Sequence, residues 1–220
     1  MRLNDVVAKI SDFYDSGVRT VGFVSGSHFA YHCIEIVKAV RETGRYPIFV
    51  YNTNAYDKPE TIRMMEDYID IYLPDFKYIN SSISKQLSGC ENYFEYASRA
   101  IREMYRQKGS SLIVDDNGFA ESGLIIRHLV LPGMINESIK LLEYIATEIS
   151  TSVHLSIMSQ YYPTPQMERY SDLNRTLRRD EYEQVVEAAI ALGFSKGWTQ
   201  FMESEACYRP DFEQTNPFEC

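Results

Sequence analysis

The chain has 220 residues, 45% hydrophobic and 24% charged, which is the length and composition of one globular domain, with or without appendages. Disordered, collagen-like and disulfide-scaffold classes are excluded, and no run approaches the roughly 18 apolar residues that a membrane helix requires. With 22 basic against 31 acidic residues, the formal charge is −9, so no uniform basic field attracts nucleic acid or an anionic membrane surface.

Met1-Arg2-Leu3-Asn4-Asp5 opens neither a signal nor a transit peptide, and a cytoplasmic location is expected. Leu3, Val6, Val7, Ile10 and Phe13 have helical spacing behind Asn4/Asp5 as N-cap, and Gly17 stops the helix. Arg19 to Val24 reads as a buried strand ending in Ser25-Gly26-Ser27. A helix follows with Phe29, Cys33, Ile36, Val37 and Val40 on one face and Gly44 at its end. Pro47 to Tyr51 is a strand, Lys58 to Asp67 a helix, Asp70 to Leu73 a strand and Asn92 to Gln107 a helix. Leu124 to Leu131 and Val153 to Met158 are strands flanking a helix over Glu137 to Ile149. Asp180 N-caps a helix running to Leu192, and Trp198 to Phe201 forms a short last strand.

Strands alternating with helices imply a parallel sheet with right-handed crossovers, and so an α/β doubly wound sheet or a full or partial barrel. Asp116-Asn117-Gly118 is a hairpin signal inside the irregular stretch 109–122. Residues 161–179 form a second long loop, and such loops are often functional. The repeat opens on a helix that has no strand to cross over from. Residues 3–201 read as the barrel domain, and 202–220 as an acidic C-terminal extension. The four cysteines (Cys33, Cys90, Cys207, Cys220) are scattered, without CxxC, and read as reduced thiols, not as a metal site. Cys33 falls among apolar neighbours and is expected in the core.

Chemistry in parallel α/β folds gathers at the C-terminal ends of the strands. Polar groups collect there: Ser25-Gly26-Ser27-His28, Asn52-Thr53-Asn54, Asp75-Phe76-Lys77, and Ser159-Gln160-Tyr161. Asp75 and Lys77 are two apart, so they point the same way in an extended segment and can pair. A solvated rim pair is the competing reading. Arg127 and His128 are adjacent and face opposite sides of their strand. An arginine within Leu124-Ile125-Ile126-Arg127-His128-Leu129-Val130 requires a carboxylate partner, in the protein or on a ligand. His32 and His154 read as surface or core residues. The Arg169, Arg175, Arg178, Arg179 cluster is either a solvated face or an anion or partner contact. No GxGxxG, Walker loop, GxSxG or HExxH is present.

Four ordered segments carry a resemblance: Val50-Tyr51-Asn52-Thr53-Asn54-Ala55-Tyr56, Asp70-Ile71-Tyr72-Leu73-Pro74-Asp75-Phe76-Lys77-Tyr78, Ile126-Arg127-His128-Leu129-Val130-Leu131-Pro132-Gly133 and Met158-Ser159-Gln160-Tyr161-Tyr162-Pro163. Together, from the first helix to Tyr208-Arg209-Pro210-Asp211-Phe212, they resemble the radical S-adenosylmethionine proteins related to pyruvate formate-lyase activating enzyme, specifically the PflX-type branch. The resemblance implies a partial (β/α)6 TIM-like barrel. In that family a CxxxCxxC loop after the first strand holds a 4Fe–4S iron–sulfur cluster. S-adenosylmethionine bound there is reductively cleaved to a 5′-deoxyadenosyl radical, which in activating enzymes acts on a partner protein.

By position, Ser25, Gly26, Ser27 and His28 stand where the family binds the methionine amino group. Asn52, Asn54, Asp75 and Lys77 then line the cofactor and substrate side, Arg127 meets the cofactor, and Gln160 and Tyr161 close the site. Ser27 and His28 replace the family's Gly and Glu, and Asn52 stands where activating enzymes often carry Asp. CxxxCxxC is absent, so the resemblance implies a barrel lacking its first strand, N-terminally truncated, that holds no metal and is inactive alone. S-adenosylmethionine and a protein substrate are the expected partners of the complete form, with no nucleic acid and no membrane. The alternatives are a cluster-free S-adenosylmethionine-binding or partner-docking scaffold, and a barrel enzyme with Lys77 as Schiff-base nucleophile beside Asp75.

Overall fold

The computed structural model describes residues 2–200. The acidic extension, Cys207, Cys220 and the Tyr208–Phe212 segment lie outside them. The chain alternates α1 (Leu3–Asp15), β1 (Thr20–Val24), α2 (Ala30–Glu42), β2 (Ile48–Thr53), α3 (Pro59–Met64), β3 (Ile71–Pro74), α4 (Ser81–Ser88) and α5 (Tyr93–Lys108). It continues with β4 (Ile113–Val114), β5 (Ala120–Leu129), α6 (Ile135–Glu148), β6 (His154–Met158), α7 (Arg179–Ala191) and β7 (Gly197–Thr199). Strand order is β1-β2-β3-β5-β6-β7, all parallel, with β4 antiparallel on β5. This is one of the α/β architectures the alternation allows, and the partial barrel that the resemblance implies. Among the described residues no helix is long and apolar enough to cross a membrane.

The helices start where backbone donors find acceptors. Arg2 and Arg178 take the N-cap positions, and their N–H groups donate to Asp5 and Glu181 at 3.0 Å each, one turn in. The predicted caps Asn4/Asp5 and Asp180 therefore lie inside the first turn, where acidic groups complement the helix dipole. A 3-10 turn over Gly26–Phe29 re-phases α2. Phe29 is left exposed, and Ala30 and Ile34 join Cys33, Val37 and Val40 in the core. Helix α3 is shorter than its pattern suggests, because the chain turns at Met65 to bury Met65 and Ile69. Helix α4 was not expected from its serine-rich sequence; the Asn80 side chain caps it and Gly89 ends it at φ 68°.

The central strands β2, β5 and β6 have two unlike faces. Phe49, Tyr51, Tyr72, Leu124, Ile126, Leu155 and Ile157 are buried on the helix side, each worth about 1.5–3 kcal/mol for a large side chain. Polar tips on that side are tied to the helices: Tyr72 donates to Gln107 of α5 at 2.7 Å, and Tyr182 of α7 to the Ile157 carbonyl at 2.7 Å. The opposite, concave face carries buried Ile71 and Met158 and, none of them fully buried, Val50, Asn52, Leu73, Asp75, Ile125, Arg127, Leu129 and Ser156.

At the other end of the sheet, the Asp116-Asn117-Gly118 turn does close a hairpin. The Asp115 carboxylate accepts the N–H groups of Asn117 and Phe119 at 3.0 and 2.8 Å and pairs with Arg19 at 2.6 Å. Strand β5 consequently starts at Ala120, four residues before its apolar run.

Candidate functional site

Parallel register places three strand ends side by side. Val24 lies opposite Asn52 and Asn52 opposite Leu73, and an isolated bridge sets Asp75 against Arg127. Backbone bonds continue the ladder past the strands: Asp75 N–H donates to Thr53 and Phe76 N–H to Arg127, each at 2.8 Å. Period-2 alternation then turns Asn52, Asp75, Lys77 and Arg127 onto the concave face together.

There they form one chain of contacts. Arg127 Nη2 donates to Asn52 Oδ1 at 2.7 Å and lies 2.6 Å from Asp75 Oδ1. Lys77 Nζ donates to Asp75 Oδ2 at 2.9 Å. The expected Asp75–Lys77 pair and the expected carboxylate partner of Arg127 are thus the same carboxylate. Two cations share it, leaving the cluster formally at +1. The Arg127 contact to Oδ1 lies off the hydrogen-bonding direction, so that oxygen and Arg127 Nε are buried without a hydrogen-bond partner. Side-chain exposures of 25% for Arg127 and 35% for Lys77 show the cluster open toward solvent. A carboxylate shared by two partly exposed cations leaves positive charge on this face, which suits an anionic group of a ligand.

His128 faces the helices, as adjacency to Arg127 requires, and is 2% exposed. Its Nδ1 is 2.8 Å from the Phe76 carbonyl, which can only accept, so Nδ1 carries the proton and Nε2 accepts from the Ser138 hydroxyl at 2.9 Å. Burial holds its pKa below the usual histidine range, keeping the imidazole neutral. The segment bearing Asp75 and Lys77 is fixed from behind at further points. Lys77 N–H donates to the Tyr93 hydroxyl at 3.0 Å, and the N–H groups of Ile79 and Asn80 donate to Glu137 at 2.7 and 2.6 Å. Tyr93 and Glu137 carry no motif, and sequence patterning reads them only as helix residues.

The other predicted residues surround this cluster without joining it. Ser25 adopts a left-handed φ of 55° and its N–H donates to the Asn52 carbonyl at 2.9 Å. Gly26 is buried, and a Cβ there would meet Tyr51 at 3.0 Å and Cys33 Sγ at 3.3 Å. Ser27 is half-buried beside Gly26 and His28 is exposed, while the nearby Tyr51, whose phenol burial pushes up, donates to Asp57 at 3.1 Å. Asn54 is exposed, with its side chain accepting from the Tyr56 N–H at 2.9 Å. Gln160 accepts from Gln200 at 3.0 Å, and Gln200 in turn accepts from the Ser159 N–H at 2.9 Å. Tyr161 is buried and donates to the Leu173 carbonyl at 2.8 Å. Most of the arginine cluster is internally paired: Arg175 and Arg178 meet Glu181, and Arg179 meets Glu183.

The cysteines described do not fit an iron–sulfur cluster. Cys33 is packed in the core, where burial pushes its thiol up to about 11, whereas a cluster binds thiolates. Cys90 sits on a different loop, 3.3 Å from Asn92 Oδ1. Among the described residues no group of three or more His, Cys, Asp or Glu is arranged to hold a metal ion.

No protein-family model matches the chain. A curated relative, uncharacterized protein MJ0674 of Methanocaldococcus jannaschii, is 29% identical over 184 residues, covering 83% of this chain and 49% of the relative. The chain therefore spans about half the length of the curated relative it matches. Among solved structures, a domain of pyruvate-formate lyase-activating enzyme from Bacteroides vulgatus superposes with TM-score 0.58 at 16% identity, over 82% of this chain and 98% of that one. Streptococcus suis SuiB bound to its precursor peptide SuiA also gives 0.58, at 12% identity over 95% of this chain and 45% of that one. At such identities the likeness is one of fold, that of the partial α/β barrel described above.

Proposed function

We propose that residues 1–220 supply the cofactor- and substrate-facing part of a radical S-adenosylmethionine protein of the pyruvate formate-lyase activating enzyme-like, PflX-type group. The observation that carries this is the Asn52–Arg127–Asp75–Lys77 cluster, open on the concave face at the ends of adjacent parallel strands. The excess cation, carried by the partly exposed Arg127 and Lys77 side chains, suits the carboxylate end of S-adenosylmethionine. Ser25, Gly26, Ser27 and His28 flank the same rim from β1, Asn54 from β2, and Gln160 and Tyr161 from β6. In a complete enzyme of this group, an iron–sulfur cluster supplies the electron that cleaves the cofactor. The cysteines described here offer that cluster no fit, so the chain alone is proposed to bind S-adenosylmethionine without cleaving it. A polypeptide substrate is proposed by analogy with SuiB, whose structure holds a precursor peptide.

Isothermal titration of residues 1–220 with S-adenosylmethionine tests the reading. One-site binding is expected, and absence of binding at millimolar ligand overturns it.

A second reading, a partner-docking scaffold, rests on the β1 edge. Ser25 N–H donates to Asn52 O and Ile48 N–H to Arg19 O. By parallel-sheet geometry the N–H and C=O groups of Thr20, Gly22 and Val24 then point away from β2, with no proline or charge in Thr20–Val24 to guard the edge. Retained partner capture after loss of S-adenosylmethionine binding distinguishes this role. The Schiff-base alternative is disfavoured by Lys77 Nζ being held against Asp75 at 2.9 Å.

A further inference from the structure

We infer that Tyr93 is a positioning residue, setting the spacing between the β2 and β3 arms of the site. The inference rests on the cofactor-cleft proposal for the identity of the ligand, and on geometry for everything else.

Three contacts meet at one phenol oxygen. It accepts the Lys77 N–H at 3.0 Å and lies 2.7 Å from the Asp75 carbonyl and 3.0 Å from the Asn54 carbonyl, which compete for its single proton. One atom thus ties the backbone on both sides of Phe76 to the loop that follows Asn52 and Thr53. The side chains of Asp75 and Lys77 reach the concave face while this oxygen grips their backbone from the helix side. The grip is rigid because the ring is rigid. Tyr93 lies in the first turn of α5, is 4% exposed, stacks on Tyr56 at 6.3 Å and meets Tyr78 edge-on at 5.5 Å. Burial raises its phenol pKa well above the ordinary tyrosine value, so the hydroxyl keeps its proton at neutral pH.

Removing that oxygen leaves the Lys77 N–H and two carbonyls without their common partner in a dry environment. The β3 arm is then free to shift against Asn52, and Arg127, which bridges Asn52 and Asp75, shifts with it. A matched control is Tyr56, in the same aromatic stack. Its hydroxyl donates to Asn92 at 2.7 Å and makes none of the three backbone contacts that meet at the Tyr93 oxygen.

The test compares Tyr93→Phe with Tyr56→Phe by amide hydrogen exchange, the Arg127 Nε–H resonance and S-adenosylmethionine titration. In Tyr93→Phe the Lys77 amide is expected to exchange about tenfold faster relative to amides of β5, the scale of one buried hydrogen bond. The Arg127 resonance moves and the affinity for S-adenosylmethionine falls by about tenfold or more. Tyr56→Phe changes none of these. The role is overturned if Lys77 exchange rises only in step with the β5 amides, or if both variants weaken binding equally. Should the wild-type chain bind no S-adenosylmethionine, the cofactor reading fails alone. Exchange at Lys77 and the Arg127 resonance then decide the positioning role: a selective change upholds it and an unchanged pair overturns it.

Discussion

Two arginine–carboxylate clusters of this barrel use similar residues in opposite ways. Glu181 is 3% exposed and accepts a bidentate pair of bonds from Arg175 at 2.7 Å each, plus the N–H groups of Gly133 at 2.9 Å and Arg178 at 3.0 Å. Every lone pair is used, and the cluster clamps the long loop before α7 to the turn after β5. Asp75 also meets two cations, yet one of its oxygens and the neighbouring Arg127 Nε lack hydrogen-bond partners, and the cluster faces an accessible concavity. A carboxylate whose bonding is complete stabilises a fold. One shared by two partly exposed cations leaves positive charge free to receive an anion.

The largest expected effect is on stability at the closed cluster. Glu181→Ala leaves Arg175 without its partner and frees two backbone donors, and urea denaturation should show a loss of about 3–5 kcal/mol. Asp75→Asn should cost only about 1 kcal/mol in the same assay, because its surroundings are more exposed. Equal losses would erase the distinction between the clusters.

Acid should reach the closed cluster in a definite window. The Arg175 hydrogen bonds, with help from the Arg178 and Gly133 N–H groups, hold Glu181 down at about 2, against 4.5 for an ordinary glutamate. A depressed folded-state pKa contributes stability above the unfolded value that is lost as pH falls through the folded one. About 2–3 kcal/mol should therefore disappear between pH 4.5 and 2, and Glu181→Gln should flatten that part of the pH–stability curve.

A second pH transition belongs to His128 behind the open cluster. Burial, reinforced by nearby Lys77, depresses its pKa from 6.5. Stability contributed by the neutral imidazole is present above that value and declines as pH falls below it. His128→Gln should reduce the slope of stability against pH below 6.5, and an unchanged slope would count against a buried neutral imidazole. The smallest effect is expected at the surface. Arg102 and Glu148 are each about half exposed, and a double-mutant cycle there should return under about 1 kcal/mol.

Much of the open cluster was legible in the sequence because alternation in strands is a strict rule. The two-residue spacing put Asp75 beside Lys77, and adjacency sent Arg127 and His128 to opposite faces. What was not legible depended on distant partners. Tyr93 reads as one more core position of α5, and only the folded chain shows its oxygen serving two loops. The arginines near residue 175 looked like a free basic patch until Glu181 closed on them. Phe29 seemed to be core because a continuous helix was assumed, and one 3-10 turn moved it to the surface.

The most direct measurement is S-adenosylmethionine titration of the wild type beside Arg127→Met and Glu181→Gln, at a temperature where all three are folded. Wild type and Glu181→Gln should bind alike, while Arg127→Met loses at least about tenfold in affinity with little change in melting temperature. Undiminished binding by Arg127→Met, or none by the wild type, would contradict the assignment of the open cluster as the binding site.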